Sequence, residues 1–237
     1  MRKTVDVPVS EIIPSVESVL RGQGVTDSGL DDPYLGELAE TALKMFARLG
    51  SPAALTRDIN RDDFETVYRG HGRNADETPV ELIYPNAKHM ALYAVTIGPR
   101  VGERVTELFD MNEFALGAMV DMAASEATEL LARAVEHQYR QELRSSRRIR
   151  NSSGVMRFSP GYCGWDLSGQ GLLFERLGPE EIGIELRKTF LMTPLKSISG
   201  VMIAGHKDIF EFECSYSFCN DCTTLSCRDR LEELRRQ

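Results

Sequence analysis

From residue 113 to about 143 the chain repeats apolar side chains three and four positions apart: Leu116, Val120, Ala123, Ala127, Leu130, Leu131, Ala134 and Val135. That interval keeps them on one face of a single long helix, because a turn takes about 3.6 residues. Ala118, Ala123, Ala124, Ala127, Ala132 and Ala134 are small, which lets the helix approach a sheet closely. A strand for that sheet stands upstream. The run HMALYAVTIG has too few polar residues for a surface strand and reads as a buried one, ended by Gly98-Pro99. Pro99 can open the helix that follows over residues 100–109.

Shorter elements surround this pair. Residues 5–22 carry Val5, Val7, Ile12, Ile13, Val16, Val19 and Leu20, and the second half reads as a short helix ending near Gly22. Leu35, Leu38, Ala39, Ala42, Leu43, Phe46 and Leu49 make a helical stripe closed by Gly50. Short strands are expected at 64–68 and 80–84, and residues 145–154, polar and Arg-rich, read as a loop. A helix is expected around 180–190, strands near 197–204 and 209–213, and a short exposed helix in the closing RLEELRRQ. The pattern predicts an α+β fold, a twisted, mainly antiparallel sheet packed against long helices. No repeat or linker interrupts it. The simplest reading is one domain over residues 1–213, with 214–237 a Cys-rich tail of the same unit.

The 237 residues are 42% hydrophobic and 27% charged, ordinary values that permit a sizeable core. The net charge of −8 argues against a general nucleic-acid binder, which needs a basic face for phosphate. Five arginines between Arg140 and Arg150 do not reverse this; they read as a solvated helix end or a docking surface for an acidic partner. No stretch nears the roughly 20 apolar residues that span a bilayer. The opening MRKTVDVPVSEII has no apolar run of signal-peptide length. The chain therefore reads as cytoplasmic, with no membrane partner.

Cys163 stands alone, whereas Cys214, Cys219, Cys222 and Cys227 follow the spacing C-x4-C-x2-C-x4-C. Without a secretory signal, such a cluster favours a metal site or redox thiols over disulfides. Two residues between the inner thiolates let both reach one metal, and four sulfurs suit zinc or an iron–sulfur cluster. Free thiols are the remaining alternative. His71, His89, His137 and His206 lie at no ligand spacing from one another. No P-loop, dinucleotide fingerprint or nucleophile elbow is present.

The segment RFSPGYCGWDLSGQ is unusual for a structural loop. Its Pro160-Gly161 turn exposes main-chain groups and lets a flat ligand approach them. Arg157 can grip a carboxylate through two parallel hydrogen bonds, and Tyr162 adds a ring and a hydroxyl. The set suits a ligand with a carboxylate at one end and an aromatic base at the other. It also suits a plain turn beside a surface arginine.

Arg157-Phe158-Ser159-Pro160-Gly161-Tyr162 resembles the Arg-x-x-Pro-Gly-Tyr loop of the reactivation domain of cobalamin-dependent methionine synthase. Thr189-Phe190-Leu191-Met192-Thr193-Pro194 and Ser197-Ile198-Ser199-Gly200 are similar to two further segments of that family. The helix DMAASEATELLARAVEHQYR resembles the family's long helix and places Glu129 at its ligand-contacting glutamate. Order and spacing agree across about residues 85–210. Free-standing versions of the domain are closer still, sharing Thr96-Ile97-Gly98 and a Cys-rich tail. The resemblance implies that the domain binds S-adenosylmethionine and caps a partner's corrinoid module. There it supports reductive methylation of cobalt without catalytic side chains of its own. Arg157 would pair with the methionyl carboxylate, and Glu129 would bond a polar group and favour the sulfonium end. Ser159, Gly161 and Tyr162 would line the adenosine side. Read without the family, Glu129 would be a solvated residue or an i,i+4 partner of Arg133.

The partner implied is a corrinoid-binding protein, or a methionine synthase lacking its own activation domain, with an electron-donor protein beside it. Cobalamin would be borne by that partner. A metal held by Cys214, Cys219, Cys222 and Cys227 could pass the electron if it is an iron–sulfur cluster. The alternative function is a redox or zinc-stabilised module that docks a corrinoid protein without methyl transfer.

Overall fold

The computed structural model describes residues 1–211 together with Tyr216, Glu232 and Leu234. In chain order its elements are β1 (Arg2–Val5), α1 (Val16–Gly22), α2 (Pro33–Leu49), β2 (Ala53–Ile59), α3 (Arg61–Arg69), α4 (Pro79–Ile83) and β3 (His89–Thr96). There follow α5 (Arg100–Asp110), α6 (Phe114–Ser145), β4 (Ser153–Phe158), α7 (Gly169–Leu177), β5 (Glu185–Leu186), β6 (Met192–Thr193) and β7 (Ser197–His206). Five strands form one antiparallel sheet in the order β1-β2-β3-β7-β4, and β5 and β6 form a separate hairpin.

Helices cover both faces of the sheet. On one, Ala91, Tyr93 and Val95 of β3 and Met202 and Ala204 of β7 meet Ala123, Ala124, Ala127, Leu131 and Ala132 of α6. On the other, Met90, Leu92 and Ala94 of β3 and Val201 and Ile203 of β7 meet Phe64, Tyr68, Ile83, Leu173 and Leu177. Successive side chains of a strand point to opposite faces. A strand covered on both has no polar positions to spare, which accounts for the apolar run of β3. The expected α+β class, the buried strand and the long helix are all present. The second helical layer is an addition to them.

Several shorter elements differ from expectation. Residues 64–68 and 80–84 were expected as strands, because Phe, Tyr and Val suit pleated surfaces. They are helical. Asn60 caps α3 by accepting from the Asp63 N–H at 2.8 Å, and Phe64, Val67 and Tyr68 then share one buried face at i, i+3 and i+4. Thr78 caps α4, accepting from the Glu81 N–H at 3.2 Å, and Pro79 occupies its first position.

The helix expected around 180–190 lies earlier, as α7, and ends where Gly178 adopts φ 72°. The segment 180–190 instead holds a short 3-10 turn and the start of the β5–β6 hairpin. The expected loop 145–154 is shorter, since β4 begins at Ser153. In place of a strand from 209, a 3-10 turn runs Lys207–Phe210; residues 212 and 213 lie outside the described residues. Of the closing helix only Glu232 and Leu234 are described, both helical. Leu234 is buried, against Gly154. No helix among the described residues is long and apolar enough to cross a membrane.

Candidate functional site

β4 ends at Phe158 and pairs only with the later part of β7, from Val201 onward. β7 begins four residues earlier, and over Ser197, Ile198, Ser199 and Gly200 it pairs with β3 alone. This one-sided stretch of strand lines a cavity of about 280 Å³, near the lower end of the roughly 300–1,000 Å³ common for ligand sites. Gly200 is required here: a Cβ at that position would strike the Phe158 carbonyl. Opposite β7, Glu129 of α6, Arg157 at the end of β4, and Ser159, Pro160 and Tyr162 of the Pro-Gly loop complete the wall. The β5–β6 hairpin contributes Phe190, Leu191 and Met192. Tyr162, Leu191 and Leu195 form an exposed apolar rim.

The Pro-Gly loop is held by its own main chain. Gly161, at φ 90°, donates its N–H to the Trp165 carbonyl at 2.7 Å, and Trp165 donates to the Tyr162 carbonyl at 3.0 Å. Trp165 is fully buried against Phe64 and Tyr68, so the loop is anchored in the core. Asn74 braces it from behind. Its Oδ1 accepts the Asp166 N–H at 2.9 Å, and its amide donates to the Tyr68 carbonyl at 2.8 Å. A second strut runs from the Ala75 N–H to the Gly164 carbonyl, 2.9 Å. Hydrogen bonding from Ser168 holds the Asp166 carboxyl below the usual carboxylate range.

Arg157, a cation in the wall, is only 3% exposed. Its neighbours Met156 and Phe158 face the aromatic layer, so Arg157 turns toward α6. Its Nε donates to Glu136 Oε2 at 2.7 Å, and its Nη2 lies 3.8 Å from Glu129 Oε2. Arg140 Nη2 stands 3.8 Å from the other Glu136 oxygen. Burial works against the Arg157 charge, but Tyr93, Glu136 and Glu129 outweigh it and hold its pKa above the ordinary arginine value. Glu129 is the exposed partner, its side chain 59% accessible. One turn earlier, burial and the Glu129 charge raise the Glu126 carboxyl.

Of the expected site residues, Glu129, Arg157, Ser159 and Tyr162 meet at this cavity. Gly161 supplies the turn between them rather than a lining atom. Glu129 is paired with Arg157 rather than with Arg133. The four tail cysteines, Cys214, Cys219, Cys222 and Cys227, lie outside the described residues. Among the described residues no group of His, Cys, Asp and Glu could hold a metal ion. His71 and His137 are exposed, and His89 contacts the Arg148 carbonyl at 3.2 Å.

Three members of the site went unassigned in the sequence. Tyr93, hidden in the apolar run, sets its hydroxyl 3.4 Å from Ser159 Oγ. Gln170 accepts from the Ser199 hydroxyl at 2.5 Å and lines the cavity. Glu136 follows Glu129 by seven positions, two helical turns on the same face, and that spacing was available as a signal.

The family model for the activation domain of vitamin B12-dependent methionine synthase matches residues 79–221. The chain belongs to this family. No curated protein matches it. Among solved structures, one of the MetH reactivation domain bound to AdoHcy is similar with a TM-score of 0.62 at 16% identity, covering 100% of this chain and 88% of that one. The likeness is one of fold, and it extends through the N-terminal third that the resemblance in sequence left out.

Proposed function

We propose that this chain binds S-adenosylmethionine in the cavity between β7, α6 and the Pro-Gly loop and presents its methyl group to the reduced corrinoid of a partner protein. An electron donor would first reduce the partner's oxidised cobalt to cobalt(I); the methyl group would then pass from the sulfonium to that cobalt, leaving S-adenosylhomocysteine and returning the methyltransferase to its active cycle. The observation that carries this reading is the convergence of Arg157, Glu129, Ser159 and Tyr162 on one cavity in a member of this family. The ligand of the similar MetH domain, AdoHcy, supports it.

The chain's own part is binding and orientation. Arg157, charged and buried, offers the terminal face of its guanidinium to the amino-acid carboxylate. The half-exposed Glu129 favours the cationic sulfonium end. Ser159 and the Tyr162 ring take the adenosine side. The apolar rim of Tyr162, Leu191 and Leu195 keeps water from the methyl group once a partner covers it. The partner is a corrinoid-binding protein, such as a methionine synthase without its own activation domain. An electron donor accompanies it, and a reducing cytoplasm suits the chemistry. Such a synthase, inactivated by oxidation of its cobalt, should regain turnover when given this chain, S-adenosylmethionine and a reductant. Unchanged inactivity would contradict the reading.

The cysteine tail belongs to the same proposal. Burial of Leu234 against Gly154 supports treating residues 214–237 as part of one unit with residues 1–213. Four thiolates at that spacing would hold an iron–sulfur cluster or zinc. Broad visible absorption in the purified protein indicates the cluster, and a colourless protein with bound zinc indicates the structural metal.

A further inference from the structure

We infer that Glu136 is a positioning residue for carboxylate recognition: it fixes Arg157 so that the terminal nitrogens, not Nε, face the ligand. The inference rests on the ligand reading above and deepens it. Arg157 stands between two cavities. Glu129 lines the ligand cavity and approaches Nη2, whereas Glu136 lines a separate cavity of about 320 Å³ on the far side and takes Nε. The two carboxylates therefore engage different nitrogens of one guanidinium. A guanidinium is planar, so fixing Nε fixes the plane in which both Nη groups lie. A long arginine side chain left free would lose rotamer entropy on binding. Pre-ordering by Glu136 removes part of that cost before the ligand arrives.

Glu136 is itself held. Its side chain is 14% accessible, and Arg140 approaches its second oxygen. Its geometry thus comes from α6, where residues 129, 136 and 140 lie along one flank.

Two variants separate position from charge. Glu136→Gln keeps an oxygen within reach of Nε but removes the charge. Glu136→Asp keeps the charge but withdraws the oxygen by one methylene. Calorimetric titration uses S-adenosylhomocysteine and its decarboxylated analogue, which differ only in the carboxylate. The wild-type chain should prefer the carboxylate-bearing ligand. Glu136→Asp should lower that preference about tenfold, with the decarboxylated analogue bound as before. That unchanged binding reports an intact pocket. Glu136→Gln should keep the preference within about threefold of wild type. The inference is overturned if Glu136→Asp retains the full preference, or if Glu136→Gln loses it while Glu136→Asp does not. Failure of the wild-type chain to bind either ligand overturns the ligand reading itself, and Glu136 with it.

Discussion

The two faces of the sheet are made of different material. Toward α6 the contact is alanine: Ala123, Ala124, Ala127 and Ala132 are each 0% exposed, and they let a helix lie close on β3 and β7. The opposite face is aromatic, with Phe64, Tyr68, Tyr84 and Trp165 in mutual contact at centroid distances of 5.4 to 6.1 Å. The difference matters to the site. Close approach of α6 brings Glu129 and Glu136 within reach of a strand side chain, Arg157. The aromatic layer instead grips Trp165 and so immobilises the loop that carries Ser159 and Tyr162. One face places the charges and the other fixes the turn.

Trp165→Ala tests the aromatic half most severely. It should cost about 3–5 kcal/mol in denaturant unfolding, the range for deleting a buried large aromatic, and should loosen the ligand loop as well. A loss below about 1 kcal/mol would mean that the loop is held by its hydrogen bonds alone. On the alanine half, Ala127→Leu should destabilise by about 1–3 kcal/mol through overpacking. It should also part Arg157 from Glu129, seen as weakened ligand binding. A neutral result would show that α6 does not need to lie close. Asn74→Ala is the mildest probe. It removes one brace, and about 1 kcal/mol of stability, while hydrogen exchange at the Asp166 and Ala75 amides should quicken. Unchanged exchange there would assign the loop's order wholly to Trp165.

The same contrast explains which parts were legible in the sequence. The alanine layer repeats over many turns of α6, so that helix could be read from periodicity, while β3 was marked by its apolar run and α5 by Pro99. In the aromatic layer Phe64 and Tyr68 come from α3, a helix of nine residues, and Tyr84 directly follows α4, a helix of five. A window that short does not separate a helical face from a strand, and Phe64, Val67 and Tyr68 carry strand propensity. Arg157 and the Pro-Gly loop were legible because a local motif marks them. Tyr93 was not, since it joins the site only when β3 and the loop after β4 come together, and Glu136 was marked only by its seven-residue spacing from Glu129. The expectation for Arg157 also lacked its burial and its bond to Glu136, which no neighbouring residue in the sequence announces.

The account stands on whether the cavity binds S-adenosylmethionine through Arg157. Isothermal titration of the whole chain and of Arg157→Ala measures this directly. Binding to the wild-type chain that weakens by about 10- to 150-fold in the variant, the equivalent of losing a charge-assisted hydrogen bond of about 1.5–3 kcal/mol, is the predicted result. Equal affinity in the two proteins, or no binding to the wild-type chain, would contradict it.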